Sequence, residues 1–102
     1  MTPPGDTGGV HVLVSGRVQG VGFRYFVKDA ADARGIAGWV RNLRDGRVEA
    51  VLAGAAATVQ PVLDELGRGP PGSRVDGIVT RVPLDDEFAA ARRPLWIRQT
   101  RF

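Results

Sequence analysis

The sequence predicts an α+β fold, a split βαβ sandwich of order βαββαβ with a mainly antiparallel sheet and two helices on one face. Three observations predict it. Four short apolar or β-branched runs fall near residues 10–14, 36–43, 48–53 and 74–82. Two segments between them repeat apolar residues at i, i+3, i+4 and i+7. The chain has 102 residues, 43% hydrophobic and 25% charged, which suits one small domain around one core.

Residues 1–8 hold no apolar side chain besides Met1 and read as a disordered tail ahead of a domain over 9–102. Residues 10–14 form the first strand, with Val10, Val12 and Val14 on one face and His11 and Leu13 on the other. His11 is the only histidine. No Asp or Ser pattern surrounds it, so it reads as a surface-strand residue rather than a general base. A helix over 23–34 follows, its stripe made by Phe23, Phe26, Val27 and Ala30, with Gly35 as C-terminal cap. Residues 36–43 are the second strand. Asp45-Gly46 marks a hairpin turn into a third strand over 48–53. Val48 and Val51 do not share a face there, which points to a bulge or a mostly buried strand. The second helix spans 57–67 through Val59, Val62, Leu63 and Leu66, with Thr58 as N-cap and Pro61 in the first turn. Residues 67–72 are a Gly/Pro loop and 74–82 the fourth strand. The 83–93 connection has no assigned element, and 95–99 is a last strand. Because the two βαβ halves interleave, the expected sheet order is 4-1-3-2, with 95–99 as an edge piece.

Composition excludes several chemistries. There is no cysteine, so disulfides, thiolate nucleophiles and cysteine metal sites are absent. The net charge of +3 comes from thirteen arginines and one lysine, scattered with acids between most of them. A nucleic-acid face would cluster them in a stripe. No 18-residue apolar run and no signal-peptide pattern appear, so a soluble cytoplasmic protein is the default expectation.

The chemistry concentrates in Ser15-Gly16-Arg17-Val18-Gln19-Gly20-Val21-Gly22-Phe23-Arg24. Its three glycines relax the strand-to-helix turn. The helix start offers unpaired N–H groups and the positive end of a dipole, which favour an anion. Arg24 adds a permanent charge shaped for phosphate or carboxylate. Two familiar phosphate motifs fail here. Phe23 follows Gly22 where a nucleoside-triphosphate loop needs Lys, and Tyr25 holds the third position of the dinucleotide fingerprint. On local chemistry alone, an anion loop and a plain glycine turn with a solvated arginine remain equal readings.

The run Gly16 to Arg24, then Gly38-Trp39-Val40-Arg41-Asn42, then Asp45-Gly46-Arg47-Val48-Glu49, resembles the acylphosphatase family. Gly54 and Gly69-Pro70 fit the same pattern, and the likeness runs from about residue 10 to 83 and more loosely to Ile97. The 83–94 connection aligns poorly, and Leu95-Trp96-Ile97 stands where the family commonly has a Phe-x-Ile strand. The resemblance implies a ferredoxin-like sandwich and a metal-independent hydrolase of acyl phosphates, with no cofactor. It implies catalytic roles for Arg24 and Asn42. It implies a substrate cradle from the backbone of Gly16, Arg17, Val18, Gln19, Gly20 and Val21, with the Arg17 and Gln19 side chains solvated. Ser15 is the contrary candidate, a nucleophile that would form a phosphoenzyme; none is expected. Arg41 is expected at the surface and Trp39 in packing. The partner expected is a small-molecule acyl phosphate, without nucleic acid or membrane, acting on a monomer.

Two other readings stay open at this point. A non-catalytic module would bind phosphate through the same loop without hydrolysis. An RNA-binding sandwich would need exposed strand aromatics, and only Trp39, Trp96 and Phe102 are candidates. The freestanding length argues against a piece of a longer carbamoyl-transfer maturation protein.

Overall fold

The computed structural model describes residues 8–101. The predicted tail therefore lies outside the described residues, except Gly8. The Gly8 carbonyl accepts the Gly54 N–H, so this residue already belongs to the folded domain. In chain order the elements are β1 (Gly9–Arg17), α1 (Phe23–Asp32), β2 (Ala37–Asn42), β3 (Val48–Ala53), α2 (Ala56–Arg68), β4 (Arg74–Arg81), α3 (Asp85–Ala89) and β5 (Trp96–Ile97). The sheet order is β4-β1-β3-β2-β5. All pairings are antiparallel except β2 with β5. This is the expected α+β sandwich, with the last strand at the edge.

The core forms where the sheet meets the two long helices. Val12 and Val14 of β1, Val40 of β2, and Val48, Ala50 and Leu52 of β3 are buried against Phe23, Val27, Ala30 and Ala31 of α1 and Val59, Val62 and Leu66 of α2. β3 is covered on both sides, since Val48 to Leu52 are all buried. That explains the missing alternation in its sequence, because a central strand has no solvent face. The irregularity that the sequence left open for β3 sits instead in β1, where the register to β4 shifts between Ser15 and Gly16.

Several boundaries move. β1 runs past residue 14 because Ser15, Gly16 and Arg17 still pair with β4. The α1 segment ends at Asp32 and closes through turns into Gly35, which takes φ 65°. Thr58 is not the N-cap of α2. Ala55 is, with no side-chain cap, and the Thr58 and Val59 N–H groups both donate to its carbonyl. Pro61 therefore sits in the second turn and removes one helical hydrogen bond. The unassigned 83–93 connection contains α3. The last strand shrinks to two residues, while Leu95 beside it turns into the core.

The face of the sheet away from α1 and α2 corrects two expectations. His11 is not at the surface; it is 1% exposed. Its Nε2 donates to Glu49 Oε2 at 2.7 Å, with Glu87 Oε2 at 3.7 Å. Arg41 is half-buried rather than solvated. Its Nε donates to Glu49 Oε1 at 2.6 Å and its guanidinium stacks on Trp39. For His11 the physical reason is α3, which lies across this face, whereas Arg41 is held by Glu49 and Trp39 and lines a cleft with Trp96 and Arg98. Trp39 Nε1 donates to the Glu87 carbonyl at 2.8 Å, and both carboxylate oxygens of Glu87 take the Arg81 guanidinium. Trp39 is packing, as expected.

These pairs predict the acid limb of stability. Arg81 beside Glu87 holds its carboxyl at about 2 against an ordinary 4.5; burial opposes this and the Leu84 N–H adds to it. Burial pushes the Glu49 carboxyl up, but hydrogen bonds from His11 and Arg41 outweigh it and leave it below its ordinary value. A carboxyl with a depressed folded pKa stabilises above its unfolded pKa and loses that as pH falls through the folded value. Wild type and Glu87→Gln are therefore expected to differ fully in Tm above about pH 5. The gap closes between about 4.5 and about 2. A gap unchanged down to the lower limit would show that the Glu87 charge contributes nothing.

Candidate active site

The loop after β1 is shaped by where its side chains can go. Val18 is buried and plugs the core, while the Arg17 side chain is exposed, as expected. Gly22 takes φ 77° as N-cap of α1, a left-handed conformation that a residue with a Cβ resists. Its carbonyl accepts the Phe26 N–H at 3.0 Å, but no side chain caps the helix and no acid stands in its first turn. The positive helix end is thus left for an anion. Arg24 lies in that first turn, half-buried. Among the described residues no acidic group comes within ion-pair distance of it. Phe23, fully buried next to it, fixes where the turn begins.

The sheet register brings Asn42 to the same end. Val14, in the last part of β1, pairs with Val48, and Val48 pairs on its other side with Asn42. Partners across a sheet share a face. Val14 and Val48 face the helices, so Asn42 does too. Its backbone carbonyl accepts the Arg101 N–H at 3.0 Å. Its side-chain Oδ1 is a buried acceptor with no protein partner.

Gln19 corrects a further expectation. Its side chain is not solvated; Nε2 donates to the Leu43 carbonyl at 2.8 Å and to the Arg47 carbonyl at 3.0 Å. One amide group thus bolts the loop to the β2–β3 hairpin directly after Asn42. Ser15 Oγ donates weakly to the Gly77 carbonyl at 3.4 Å. The structure therefore gathers the loop, the first turn of α1 and Asn42 at one end of the sheet.

The sequence model of the acylphosphatase family matches residues 10–90. An acylphosphatase from Rhizobium etli is 49% identical over 72% of this chain and 78% of its own length. The chain belongs to the acylphosphatase family. An acylphosphatase structure from Coxiella burnetii superposes with a TM-score of 0.79 at 31% identity, covering 91% of this chain and 94% of that one. The acylphosphatase of Bacillus subtilis gives 0.72 at 36% identity, with 92% and 97% covered. The fold is the ferredoxin-like sandwich of these acylphosphatases, and the protein is an enzyme that hydrolyses acyl phosphates.

In acylphosphatase terms the collected groups divide by charge. The loop amides, the uncapped helix end and Arg24 are all positive or donors. Asn42 offers an acceptor. A possible ligand set for a metal lies elsewhere: His11, Glu49 and Glu87 bring their ligand atoms within 4.8 Å of one another. Both carboxylates there are already paired with Arg41 and Arg81, on the opposite sheet face. The hairpin beside Asn42 is held by Asp45, whose carboxyl accepts the Arg47 backbone N–H and side chain. The backbone N–H leads in holding that carboxyl below its ordinary value.

The Gln19 bolt yields a testable asymmetry. Gln19→Ala removes two hydrogen bonds and is expected to cost about 1–3 kcal/mol. Gln19→Glu keeps the size but turns a carboxylate toward two carbonyl oxygens, so it is expected to cost more. Denaturant midpoints of the two variants check this, and an equally stable Gln19→Glu would remove the bolt from the account.

Proposed function

We propose that the loop backbone from Gly16 to Val21 and the Arg24 guanidinium hold the phosphoryl group of the acyl phosphate, while Asn42 orients the attacking water. The register that aligns Val14, Val48 and Asn42 supports this reading most strongly, because it brings the Asn42 side chain to the helix side at the loop end of the sheet.

The chemistry follows from the bond broken. The leaving group is a carboxylate, stable without protonation, so no strong general acid is needed. The transition state is loose, and catalysis is mostly positioning and charge stabilisation. Amide donors and a guanidinium supply both without a metal ion. An amide side chain is too weak a base to take a proton. Asn42 Oδ1 instead accepts a hydrogen bond from water and aims its lone pair at phosphorus. As the P–O bond to water forms and the P–O bond to the acyl group breaks, the water proton passes to a phosphoryl oxygen. The products are carboxylate and inorganic phosphate. No phosphoenzyme forms, and Ser15 keeps a structural role.

The same reading makes the protein a cytoplasmic monomer acting on a small molecule, without nucleic acid. Among the described residues no helix is long and apolar enough to cross a membrane. Benzoyl phosphate hydrolysis in the presence of EDTA tests the reading. Rapid phosphate release is the expected result. Release that needs added divalent metal would overturn the metal-free mechanism.

A further inference from the structure

β2 presents Val40 and Asn42 to the helix side, so Trp39 and Arg41 fall on the opposite face. There, beyond the edge of β2, Arg41, Trp96, Arg98, Gln99, Thr100 and Arg101 line a cleft of about 440 Å³. Its centre is Arg98, half-buried, with its guanidinium 4.8 Å from the Trp39 ring centroid and 5.4 Å from that of Trp96. Arg41 stacks on Trp39 at 4.8 Å and Arg92 on Trp96 at 3.9 Å. Two indoles thus gather three guanidinium groups.

The acids do not balance them. Glu49 is taken by His11 and Arg41. Asp86 acts on Arg98 only at longer range. Among the described residues the side chains of Arg98 and Arg101 have neither an ion pair nor a hydrogen bond. Burial first, and then the neighbouring Arg41 charge, pull the Arg98 pKa down. Arginine stays charged regardless. A stacked guanidinium keeps its N–H edge free, and that edge matches two oxygens of a phosphate or carboxylate.

We propose that this cleft is a second oxyanion site, held by Arg98 with Arg101 and the Thr100 hydroxyl, separate from the loop at Arg24. Its ligands are inorganic phosphate or a small carboxylate, the two product chemistries of the reaction. The site adjoins the catalytic end through the backbone. Arg98 N–H donates to the Val40 carbonyl, Arg101 N–H to the Asn42 carbonyl, and Arg44 N–H to the Arg101 carbonyl. The assignment does not depend on the roles given to Arg24 and Asn42.

The test is an amide-shift titration of the Arg24→Ala protein, and of wild type, with inorganic phosphate and separately with acetate. Saturable shifts at Gln99, Thr100 and Arg101 are expected in both proteins, and the anion that saturates lower is the ligand. Arg98→Gln is expected to weaken the binding by about tenfold or more. Because Arg98 also packs on two indoles, Arg101→Gln, at an exposed side chain, is the second variant and is expected to weaken it several-fold. Shifts that sodium chloride reproduces at equal ionic strength overturn the proposal. So do shifts that vanish in Arg24→Ala, which would trace them to the loop, and so does the absence of saturation below about 50 mM.

Discussion

Arg24→Ala is expected to lose inorganic-phosphate binding and to lower turnover by roughly 10³-fold. The side chain stands in the first turn of α1, beside a helix end with neither a side-chain cap nor an acid. No described acid comes within ion-pair distance of it. Its charge is therefore available to the substrate and to the charge that spreads over the phosphoryl oxygens as the bond breaks. The folded structure should tolerate the change, since Phe23 and Val27 anchor α1 and Arg24 lies off their stripe. Arg24→Lys keeps the charge but not the two-pronged donor edge. It is expected to recover part of the phosphate affinity and little of the rate. Steady-state kinetics on benzoyl phosphate, with circular dichroism to check folding, measures both effects.

Asn42→Ala is expected to lower turnover by roughly 10²-fold or more, because an unoriented water loses the proximity term. Phosphate affinity should stay near the wild-type value. Asn42 contributes an acceptor, and an acceptor does not hold an anion. The buried Oδ1 without a protein partner is the group removed. The hydrogen bond that the Asn42 carbonyl accepts from the Arg101 N–H survives the substitution, and so does the pairing of Asn42 with Val48 across the hairpin. Lost turnover is then a chemical effect rather than a folding one.

Much of this was legible in the sequence because the signals were local. The alternating valines of β1, the stripe of Phe23, Phe26, Val27 and Ala30, and the Asp45-Gly46 turn each specify an element within a few residues. The sheet order followed from the element order. The family motif supplied Arg24 and Asn42, where local chemistry alone left the loop undecided. What escaped was long-range. His11 reads as a surface residue unless α3 is known to fold over it, and nothing in the mixed 83–93 segment signals that. Arg41 reads as solvated because its carboxylate partner, Glu49, stands on the neighbouring strand. Gln19 looks solvated because its two acceptors are backbone carbonyls, at Leu43 and Arg47, which no sequence pattern marks. The start of α2 was misplaced because Thr58 looks like a cap and Pro61 like a first-turn residue, whereas Ala55 begins the helix without any side-chain help.

The division of labour between Arg24 and Asn42 is the central claim, and one measurement reaches it most directly. Inorganic phosphate is titrated into Arg24→Ala and Asn42→Ala side by side, with the amide shifts of residues 16–22 as the readout. Wild-type affinity at the loop is expected in Asn42→Ala and none in Arg24→Ala. Equal loss of phosphate binding in the two variants would contradict it.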